Sequence, residues 1–187
     1  MGRDTPYVAV RSSATAEDRD NASFAGQQET YVNVKGTKNV LEAVKKCWAS
    51  LFTPRAIFYR KKQNYMHENV FIAVVIQKMI NSEKSGVIFT ANPATNNRKE
   101  IVIEAGFGLG DAIVGGEIKP DNYTVDKNTL KIINKKINKQ KWMYTKDENT
   151  GQTIKKEIDF GNFQVLTDDE IIKLAEYAKR LETQYQK

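Results

Sequence analysis

Three short apolar segments, separated by residues that favour turns, constrain the fold of this chain more than any other feature. They occupy residues 71–79 (FIAVVIQKM), 86–90 (GVIFT) and 100–105 (EIVIEA). The first is apolar almost throughout, which is typical of a buried β-strand. The turn ANPATNNRK between the other two is rich in turn formers. Two later pairs of segments flank DKNT and DENTG and predict β-hairpins. The sequence therefore predicts an antiparallel or mixed sheet in the second part of the chain.

Helical patterns precede and follow these predicted strands. A first helix is expected after Gly36, with Thr37 as its N-cap, and a second restarts at Pro54, a favoured first position. A final helix begins at a capping box that includes Thr167 and Glu170. The chain is therefore predicted to be α+β, with short strands and two helices in residues 1–69 and the larger sheet and final helix in residues 70–187.

Composition limits the chemistry that the chain can carry. Its 187 residues suffice for one large domain or two small lobes. The only cysteine, Cys47, excludes an internal disulfide framework and favours a reducing compartment, so a cytoplasmic location is expected. The only histidine, His67, lies in a polar segment and is expected to be structural or exposed. No apolar run approaches the roughly 18 residues of a membrane span, so no membrane partner is expected.

The formal net charge of +6 favours polyanionic partners such as nucleotides, phosphates or nucleic acid. Many lysines fall between residues 127 and 156, where a solvated outer face of the predicted hairpins is the simplest interpretation. The alternative is a basic module that binds RNA, because Trp142 and Tyr144 lie in the same region. No recognised nucleic-acid-binding module is visible in the sequence, so a nucleic-acid partner is not expected.

The polar stretch VAVRSSATAEDRDNASFAGQQET begins within a short predicted strand, residues 7–10, and its remainder is predicted to be a long loop. Arg11, directly followed by Ser12, can present a planar guanidinium group and a hydroxyl to one anion. Gly26 allows the backbone to approach a ligand closely. The alternative is a solvated loop in which Arg11 forms a surface ion pair with Glu17 or Asp18. Composition alone leaves both interpretations open.

Gln77, Lys78 and Met79 end the first apolar segment. An amide can bind the edge of a purine ring, a thioether can pack on its face, and an ammonium can meet a phosphate. The alternative is that Met79 belongs to the core and Lys78 is solvated. Spacing alone favours this second interpretation.

The run GFGLG is a weaker signal. It is not G-x-G-x-x-G, no parallel βαβ unit surrounds it, and it lacks the Gly-Lys-Ser/Thr of a P-loop. Its glycines either let the chain pass close under phosphates or form a tight turn after a strand. Glu104 and Asp111 on either side could hold Mg²⁺ through oxygen atoms, or each could be a surface carboxylate.

Five segments, taken together, resemble the ATP-binding domain of the phosphoenolpyruvate synthase (pyruvate, water dikinase) family. They are VAVRSSATAEDRDNASFAGQQETYVNV, WASLFTPRAIFYR, VVIQKM, SGVIFTANP and EAGFGLGDAIVGGEIKPDNYTV. Their order and spacing fit over nearly the whole chain, most specifically between residues 8 and 126. Pyruvate, phosphate dikinase and rifampin phosphotransferase carry the same type of domain and remain as alternatives.

The resemblance implies an ATP-grasp-like fold, in which two α+β lobes clasp ATP. The family's domain passes a phosphoryl group from ATP to a histidine on a separate domain. The group then reaches pyruvate on a third domain, which yields phosphoenolpyruvate, AMP and phosphate. ATP, pyruvate and the phosphohistidine domain are therefore the expected partners.

Site residues are carried over by position. Arg11 would be the catalytic residue that holds the polyphosphate and offsets charge during transfer. Gly26 and Thr30 would belong to a glycine-rich cover over ATP, and Met79 would lie near the adenine. The full set of implied ATP contacts is Arg11, Ser12, Gly26, Thr30, Gln77 and Met79.

The resemblance also implies parts that these 187 residues do not contain. Family members carry a lysine well before the VRSS motif, and a glutamate and a Gln-x-Arg motif after the final helix, which would hold phosphates and Mg²⁺. No metal ligand is therefore expected within the chain, since these ligands would lie beyond Lys187. We expect the chain by itself to be a piece of a dikinase that binds ATP weakly or not at all and does not turn it over.

Overall fold

The chain divides into two compact units, Met1–Ile80 and Asn81–Lys187. A computed structural model describes residues 5–14, 18–19, 22–23, 29–63, 66–159 and 163–185. Both units combine helices with antiparallel strands, which confirms the predicted α+β class. The division lies at residue 80 rather than at the expected 69, because the strand Ile72–Lys78 pairs along its length with Val8–Ala14.

The first unit contains a three-stranded antiparallel sheet. Its central strand is β1 (Val8–Ala14), and its outer strands are β4 (Thr30–Val34) and β5 (Ile72–Lys78). Two short strands, β2 (Asp18–Arg19) and β3 (Ala22–Ser23), form a separate two-stranded sheet. The helical elements are α1 (Thr37–Ala49), α2 (Pro54–Lys62) and two 3₁₀ turns (Ser50–Phe52 and His67–Asn69).

The strand β1 extends into the segment that was predicted to be a loop. The predicted strand ended at Val10, but β1 continues to Ala14 because β5 pairs with it along its whole length, while β4 pairs with it as far as Arg11. Polar side chains are compatible with a strand when one face of the sheet is free of the core. Arg11 therefore lies on regular secondary structure and not on a loop.

Helix α1 covers one face of this sheet. Val10, Ala43 and Cys47 are buried at the contact. The helix begins one residue earlier than the predicted N-cap implies, since Gly36, with φ of 85°, is the N-cap and Thr37 is helical. Helix α2 begins at Pro54 as predicted.

The second unit contains a four-stranded antiparallel sheet, a hairpin and two helices. The sheet order is β6-β7-β8-β9, and the hairpin pairs β10 with β11. The elements are β6 (Lys84–Phe89), β7 (Glu100–Phe107), α3 (Asp111–Val114), β8 (Asp121–Asp126), β9 (Ile132–Lys136), β10 (Trp142–Lys146), β11 (Thr153–Glu157) and α4 (Asp168–Tyr185).

Helix α4 packs on this sheet through an apolar face that includes Ile171, Ala175 and Ala178. The predicted capping box is confirmed, because the backbone N–H of Thr167 donates to Glu170 at 2.8 Å and the N–H of Glu170 donates to the Thr167 hydroxyl at 3.3 Å. Glu170 also accepts from Lys84 of β6 at 2.8 Å. In the described part of the chain, no helix has the length and hydropathy to cross a membrane.

A buried carboxylate holds the segment that leads into α4. Asp121 is 1% exposed and accepts hydrogen bonds from the Tyr123 hydroxyl at 2.8 Å and the backbone N–H groups of Asn138 at 2.8 Å and Val165 at 2.9 Å. The Tyr123 hydroxyl in turn accepts from the N–H of Leu166 at 3.2 Å. Burial, together with the contact to Asp121, raises the pKa of Tyr123, so the hydroxyl remains protonated.

Candidate functional site

Strand pairing places Arg11 between the other two strands of the first sheet. It lies opposite Thr30 of β4 and opposite Val75 of β5. Residues directly opposite each other on antiparallel strands project their side chains to the same face of the sheet, and successive residues alternate between faces. The side chains of Arg11, Thr30 and Val75 therefore share one face.

The same alternation brings two more predicted ATP contacts to this face. Gln77 lies opposite Ala9, two residues from Arg11. The ladder continues past β5, because the backbone N–H of Met79 donates to the carbonyl of Tyr7 at 2.8 Å. Strand geometry separates the Cα atoms of Arg11 and Gln77 by about 8 Å. We call this surface the free face, and it comprises Ala9, Arg11, Thr30, Val75, Gln77 and Met79.

The opposite face is the one that packs on α1, and it takes two residues away from the candidate site. Ser12 alternates with Arg11 and so projects towards the α1 side, while its backbone N–H donates to the carbonyl of Glu29 at 3.4 Å. Lys78 pairs with Val8 and projects to that same side. Because they project to the α1 side, the side chains of Ser12 and Lys78 point away from a ligand bound on the free face.

Part of the predicted site lies outside the described residues. Gly26, the predicted point of close backbone approach, lies outside the described residues. The alternative ion pair of Arg11 also cannot be described, because Glu17 and the side chain of Asp18 lie outside them. The side chain of His67 is also not described.

The polar groups of the free face are available for a ligand. Arg11, Thr30 and Gln77 are exposed, and their side chains form no hydrogen bond or ion pair with any residue that the structure describes. A guanidinium group binds two phosphate oxygens at once, and an amide both donates and accepts. The adjacent Val75 and Met79 supply apolar surface. The combination suits a ligand with an anionic part and a flat, partly apolar part.

The single thiol has no part in this chemistry. Cys47 is fully buried on the α1 side, where its Sγ contacts the carbonyl oxygens of Glu29 at 3.6 Å and Val10 at 3.8 Å. Burial, and then the charge of Glu29, raise the pKa of the Cys47 thiol. A buried, protonated thiol is a poor nucleophile.

The glycine-rich run of the second unit packs against the hairpin β10–β11. Gly108 has φ of +81°, and a Cβ atom there would lie 2.3 Å from the carbonyl oxygen of Tyr144 and 2.8 Å from Cβ of Met143. The N–H of Leu109 donates to the same Tyr144 oxygen at 2.9 Å. The glycines of this run were predicted either to lie close under phosphates or to form a tight turn after a strand. At Gly108 the structure agrees with the tight turn, because the backbone of Tyr144 occupies the space where a side chain would lie.

Gln140 completes this contact, and the sequence analysis did not identify it. Its buried amide accepts from the N–H of Phe107 at 2.9 Å and donates to the carbonyl oxygens of Phe107 at 3.0 Å and Trp142 at 2.9 Å. Both polar atoms of the Gln140 side chain are therefore hydrogen-bonded to backbone groups. The amide binds the N–H and C=O of Phe107 as the backbone of a neighbouring strand would. A glutamine in a lysine-rich segment carries no sequence pattern that indicates such a role.

Replacing Gly108 by alanine should destabilise the chain by about 3 kcal/mol, since it adds a backbone clash to an unfavourable positive φ. The matched control is Gly116→Ala, where φ is +68° but nothing lies within 4 Å of the added Cβ. That control should cost only about 1 kcal/mol. Urea unfolding of both variants measures the difference. Equal losses would show that the contact with Tyr144 does not constrain position 108.

The two carboxylates that flank the glycine-rich run do not belong to a cluster of possible metal ligands. Glu104 lies within 3.4 Å of the amide of Asn122, and Asp111 is exposed at the start of α3. Among the residues that the structure describes, no three His, Cys, Asp or Glu side chains are grouped so that they could hold a metal ion.

The basic hairpin region is partly engaged in internal contacts. Lys135 forms an ion pair with Asp168, and Nζ of Lys155 lies 3.8 Å from the centre of the Trp142 ring. A groove of about 630 Å³ lies beside Trp142. Its lining includes three lysines and two acidic residues, Lys139, Lys141, Lys155, Glu157 and Asp159. Its charge is therefore mixed.

Comparison with known proteins gives a family match over the full chain. The family model described as the pyruvate phosphate dikinase AMP/ATP-binding domain matches residues 1–187. A probable phosphoenolpyruvate synthase from Pyrococcus horikoshii is 52% identical over 192 residues, which cover 99% of this chain and 23% of the relative. One from Archaeoglobus fulgidus is 55% identical over 183 residues, covering 97% of this chain and 24% of the relative.

A protein of a different name is nearly as similar. Rifampicin phosphotransferase from Bacillus cereus is 49% identical over 185 residues, which cover 97% of this chain and 21% of that protein. The chain thus spans about a quarter of the length of the curated relatives that it matches.

Proposed function

The chain belongs to the pyruvate phosphate dikinase AMP/ATP-binding domain family, and on this premise we propose that the free face of its first sheet binds ATP. The observation that carries the proposal is the strand register, which aligns Arg11, Thr30, Gln77 and Met79 on one face opposite the helix-packed face. The backbone of Arg11 is paired on both sides, so binding of an anion requires ordering of its side chain but not of its strand.

Each residue of the free face has a role in this proposal. Arg11 binds the polyphosphate and offsets the charge that develops as a phosphoryl group leaves. Gln77 binds the edge of the purine, and Met79 packs against its face. The Thr30 hydroxyl donates a hydrogen bond to a phosphate oxygen. Gly26 would belong to a glycine-rich cover over the ATP. The two units, Met1–Ile80 and Asn81–Lys187, would correspond to the two lobes of an ATP-grasp-like fold.

The reaction proposed for the whole protein is phosphoryl transfer to pyruvate. A diphosphoryl group passes from ATP to a histidine of another domain and leaves AMP. Water then releases the terminal phosphate, and the phosphoryl group that remains on the histidine passes to pyruvate to form phosphoenolpyruvate. The names of the Pyrococcus and Archaeoglobus relatives support this acceptor. What this chain supplies is the binding and orientation of the phosphoryl donor.

The side chains that the structure describes include no group of three His, Cys, Asp or Glu residues, so they form no site that would hold Mg²⁺ by itself. In the whole protein the ion would be held by ATP phosphates together with one or two carboxylates. Glu104 and Asp111 alone do not form an oxygen-rich site of the kind that the ion prefers. We therefore derive no step through Mg²⁺ from this chain. With one guanidinium group on the free face and no described metal site, we expect the 187 residues by themselves to bind ATP only at millimolar concentration.

Rifampicin is the alternative acceptor, supported by the 49% identity to the Bacillus cereus enzyme over nearly the whole chain. Pyruvate, phosphate dikinase activity is a third possibility that the family name supports. All three share the phosphoryl donor, and the acceptor is bound elsewhere in such proteins. A basic RNA-binding module is disfavoured, because Lys135 and Lys155 have internal partners and two acidic residues line the groove beside Trp142.

A chimera tests the proposal. This chain is placed in the Archaeoglobus fulgidus relative in place of the matching segment, and formation of AMP and phosphoenolpyruvate from ATP and pyruvate is measured. We expect a turnover within about tenfold of the unaltered enzyme. The same graft with the Pyrococcus horikoshii segment controls for the grafting itself. A folded chimera that forms no AMP, beside an active control graft, would contradict the proposal.

A further inference from the structure

The positive charge of this chain is concentrated on one helical segment. Residues 37–62 contain five lysines, two arginines and one acid, Glu42, so their net charge equals the +6 of the whole chain. Acidic and basic residues balance each other in the remainder. The one acid already pairs with Lys45 at 3.2 Å. A charge confined to one segment, and not spread over the surface, indicates a local partner of opposite charge.

Apolar side chains are exposed on the same segment, which comprises α1, the 3₁₀ turn Ser50–Phe52 and α2. Trp48 is 52% exposed, Phe52 is 70% exposed and Phe58 is 68% exposed. Leu41 and Ile57 are exposed as well. Single exposed apolar side chains are common, but five on one short segment indicate a surface that a partner covers.

The exposed side chains form a row along α1. Leu41, Lys45, Trp48 and Phe52 follow one another at steps of three or four residues, which aligns them on one side of the helix. The other side of α1 packs on the first sheet. A second row with the same steps lies on α2 and consists of Arg55, Phe58 and Lys62. We call the two rows together the helical surface.

Buried contacts fix the second row to the end of the first. Arg60 is buried, and its guanidinium group donates to the carbonyl of Leu51 in the 3₁₀ turn. The Thr53 hydroxyl caps α2 by accepting from the N–H of Ala56 at 3.3 Å. None of these residues belongs to the helical surface. The surface is therefore held in place before a partner binds, which lowers the entropic cost of binding.

We propose that the helical surface docks an acidic, partly apolar surface of another part of the whole protein. Basic side chains that alternate with aromatic ones match acidic side chains that alternate with apolar ones. The curated relatives are about four times as long as this chain, so other parts of such a protein are present at high local concentration.

Charge and shape disfavour two other partners. A second copy would bring the same positive charge against this one, and like charges in an interface repel. Single-stranded nucleic acid is usually bound in a basic groove with stacking aromatics. The rows are instead convex ridges of helices, and the aliphatic Leu41 and Ile57 offer no stacking surface.

The inference is independent of ATP binding. Helix α1 packs on the face of the first sheet that is opposite the free face. The part of the protein that covers α1 is therefore distinct from any part that approaches a ligand on the free face.

Coupling with a carbodiimide tests the proposal in the folded chimera, because this reagent joins a lysine amine directly to a carboxylate that contacts it. We expect amide-linked peptides, identified by mass spectrometry, between Lys61 or Lys62 and acidic residues outside the grafted segment. Lys139, exposed in the basic region of the second unit, is the control and should form no such link. No link from Lys61 or Lys62, or equal linkage from Lys139, would overturn the proposal.

A double variant, Arg55→Glu with Phe58→Gln, provides a second test. It should abolish the links of Lys61 and Lys62 and lower the melting temperature of the chimera by at least about 3 °C. The urea midpoint of the isolated chain should not change, because both side chains are exposed there. Lys139→Glu is the matched control and should leave both proteins unaltered. Equal destabilisation of the chain and the chimera by the double variant would contradict docking.

The isolated chain separates the proposed partner from the other two. Its binding to a fluorescent oligouridylate is measured by anisotropy at physiological salt, and its mass by sedimentation velocity. We expect no binding and no dimer that depends on Arg55 and Phe58. Either one, if abolished by the double variant, would overturn the proposal, since the helical surface would then recognise nucleic acid or a second copy.

Discussion

Replacement of Arg11 by glutamine should lower phosphoryl transfer from ATP at least about 10³-fold in the chimeric enzyme. This is the lower range seen when a single arginine that stabilises charge in phosphoryl transfer is lost. The fold should be unaffected, because the Arg11 side chain is exposed and has no partner among the described residues. Initial rates of AMP formation, together with thermal unfolding of the same samples, measure both effects.

Two further variants show whether the loss reflects the position of Arg11 or only its charge. Arg11→Lys retains the charge but not the planar pair of donors, so it should recover only part of the rate. Lys78→Gln removes one positive charge from the same sheet but on the α1 side, and it should leave the rate unchanged. If Lys78→Gln reduced the rate as much as Arg11→Gln, the free face would not be the binding surface.

Replacement of Asp121 by alanine should cost about 4 kcal/mol of unfolding free energy. The change leaves the Tyr123 hydroxyl and the backbone N–H groups of Asn138 and Val165 buried without their acceptor, and each such group costs about 1–3 kcal/mol. Urea unfolding at neutral pH measures the loss. Asp159→Ala, at an exposed position, is the control and should change stability by less than about 0.5 kcal/mol.

The part of the chain that loses hydrogen-exchange protection in the Asp121→Ala variant would also be informative. Asp121 and Tyr123 hold residues 165 and 166, directly before α4, so α4 should become the least protected element of the variant in hydrogen exchange. Uniform loss of protection across the second unit would show instead that the carboxylate stabilises the sheet as a whole.

Periodicity predicted much of this fold from local patterns. The capping box before α4, the proline that begins α2 and the strands at the apolar segments all depend on residues close in sequence, and the structure confirms them. The predicted burial of residues 71–79 is wrong, because β5 is an outer strand of its sheet and most of its residues are exposed. The extension of β1 to Ala14 could not be predicted in this way. It depends on pairing with strands about twenty and sixty residues away, which polar residues such as Arg11 and Ser12 do not signal locally.

The candidate site shows the same limit. Resemblance to a family indicated Arg11, Ser12, Thr30, Gln77 and Met79 without their arrangement, and only the strand register separates Ser12 from the others. The buried contacts of Gln140 and Asp121 involve partners more than thirty residues away, so a single sequence gives no sign of them. A glycine-rich run likewise does not reveal whether backbone or a ligand occupies its open side, which at Gly108 is the carbonyl of Tyr144.

The most direct test of the central claim is methyl NMR of the chain labelled at its methionines and titrated with ATP to millimolar concentration. We expect the Met79 methyl signal to shift and the signals of Met66 and Met143 to stay unmoved, because of these three methionines only Met79 belongs to the free face. The Arg11→Gln variant should show a smaller shift at the same ATP concentration. A shift of Met143, which packs beside Gly108, with Met79 unmoved would place ATP at the glycine-rich run and contradict the account.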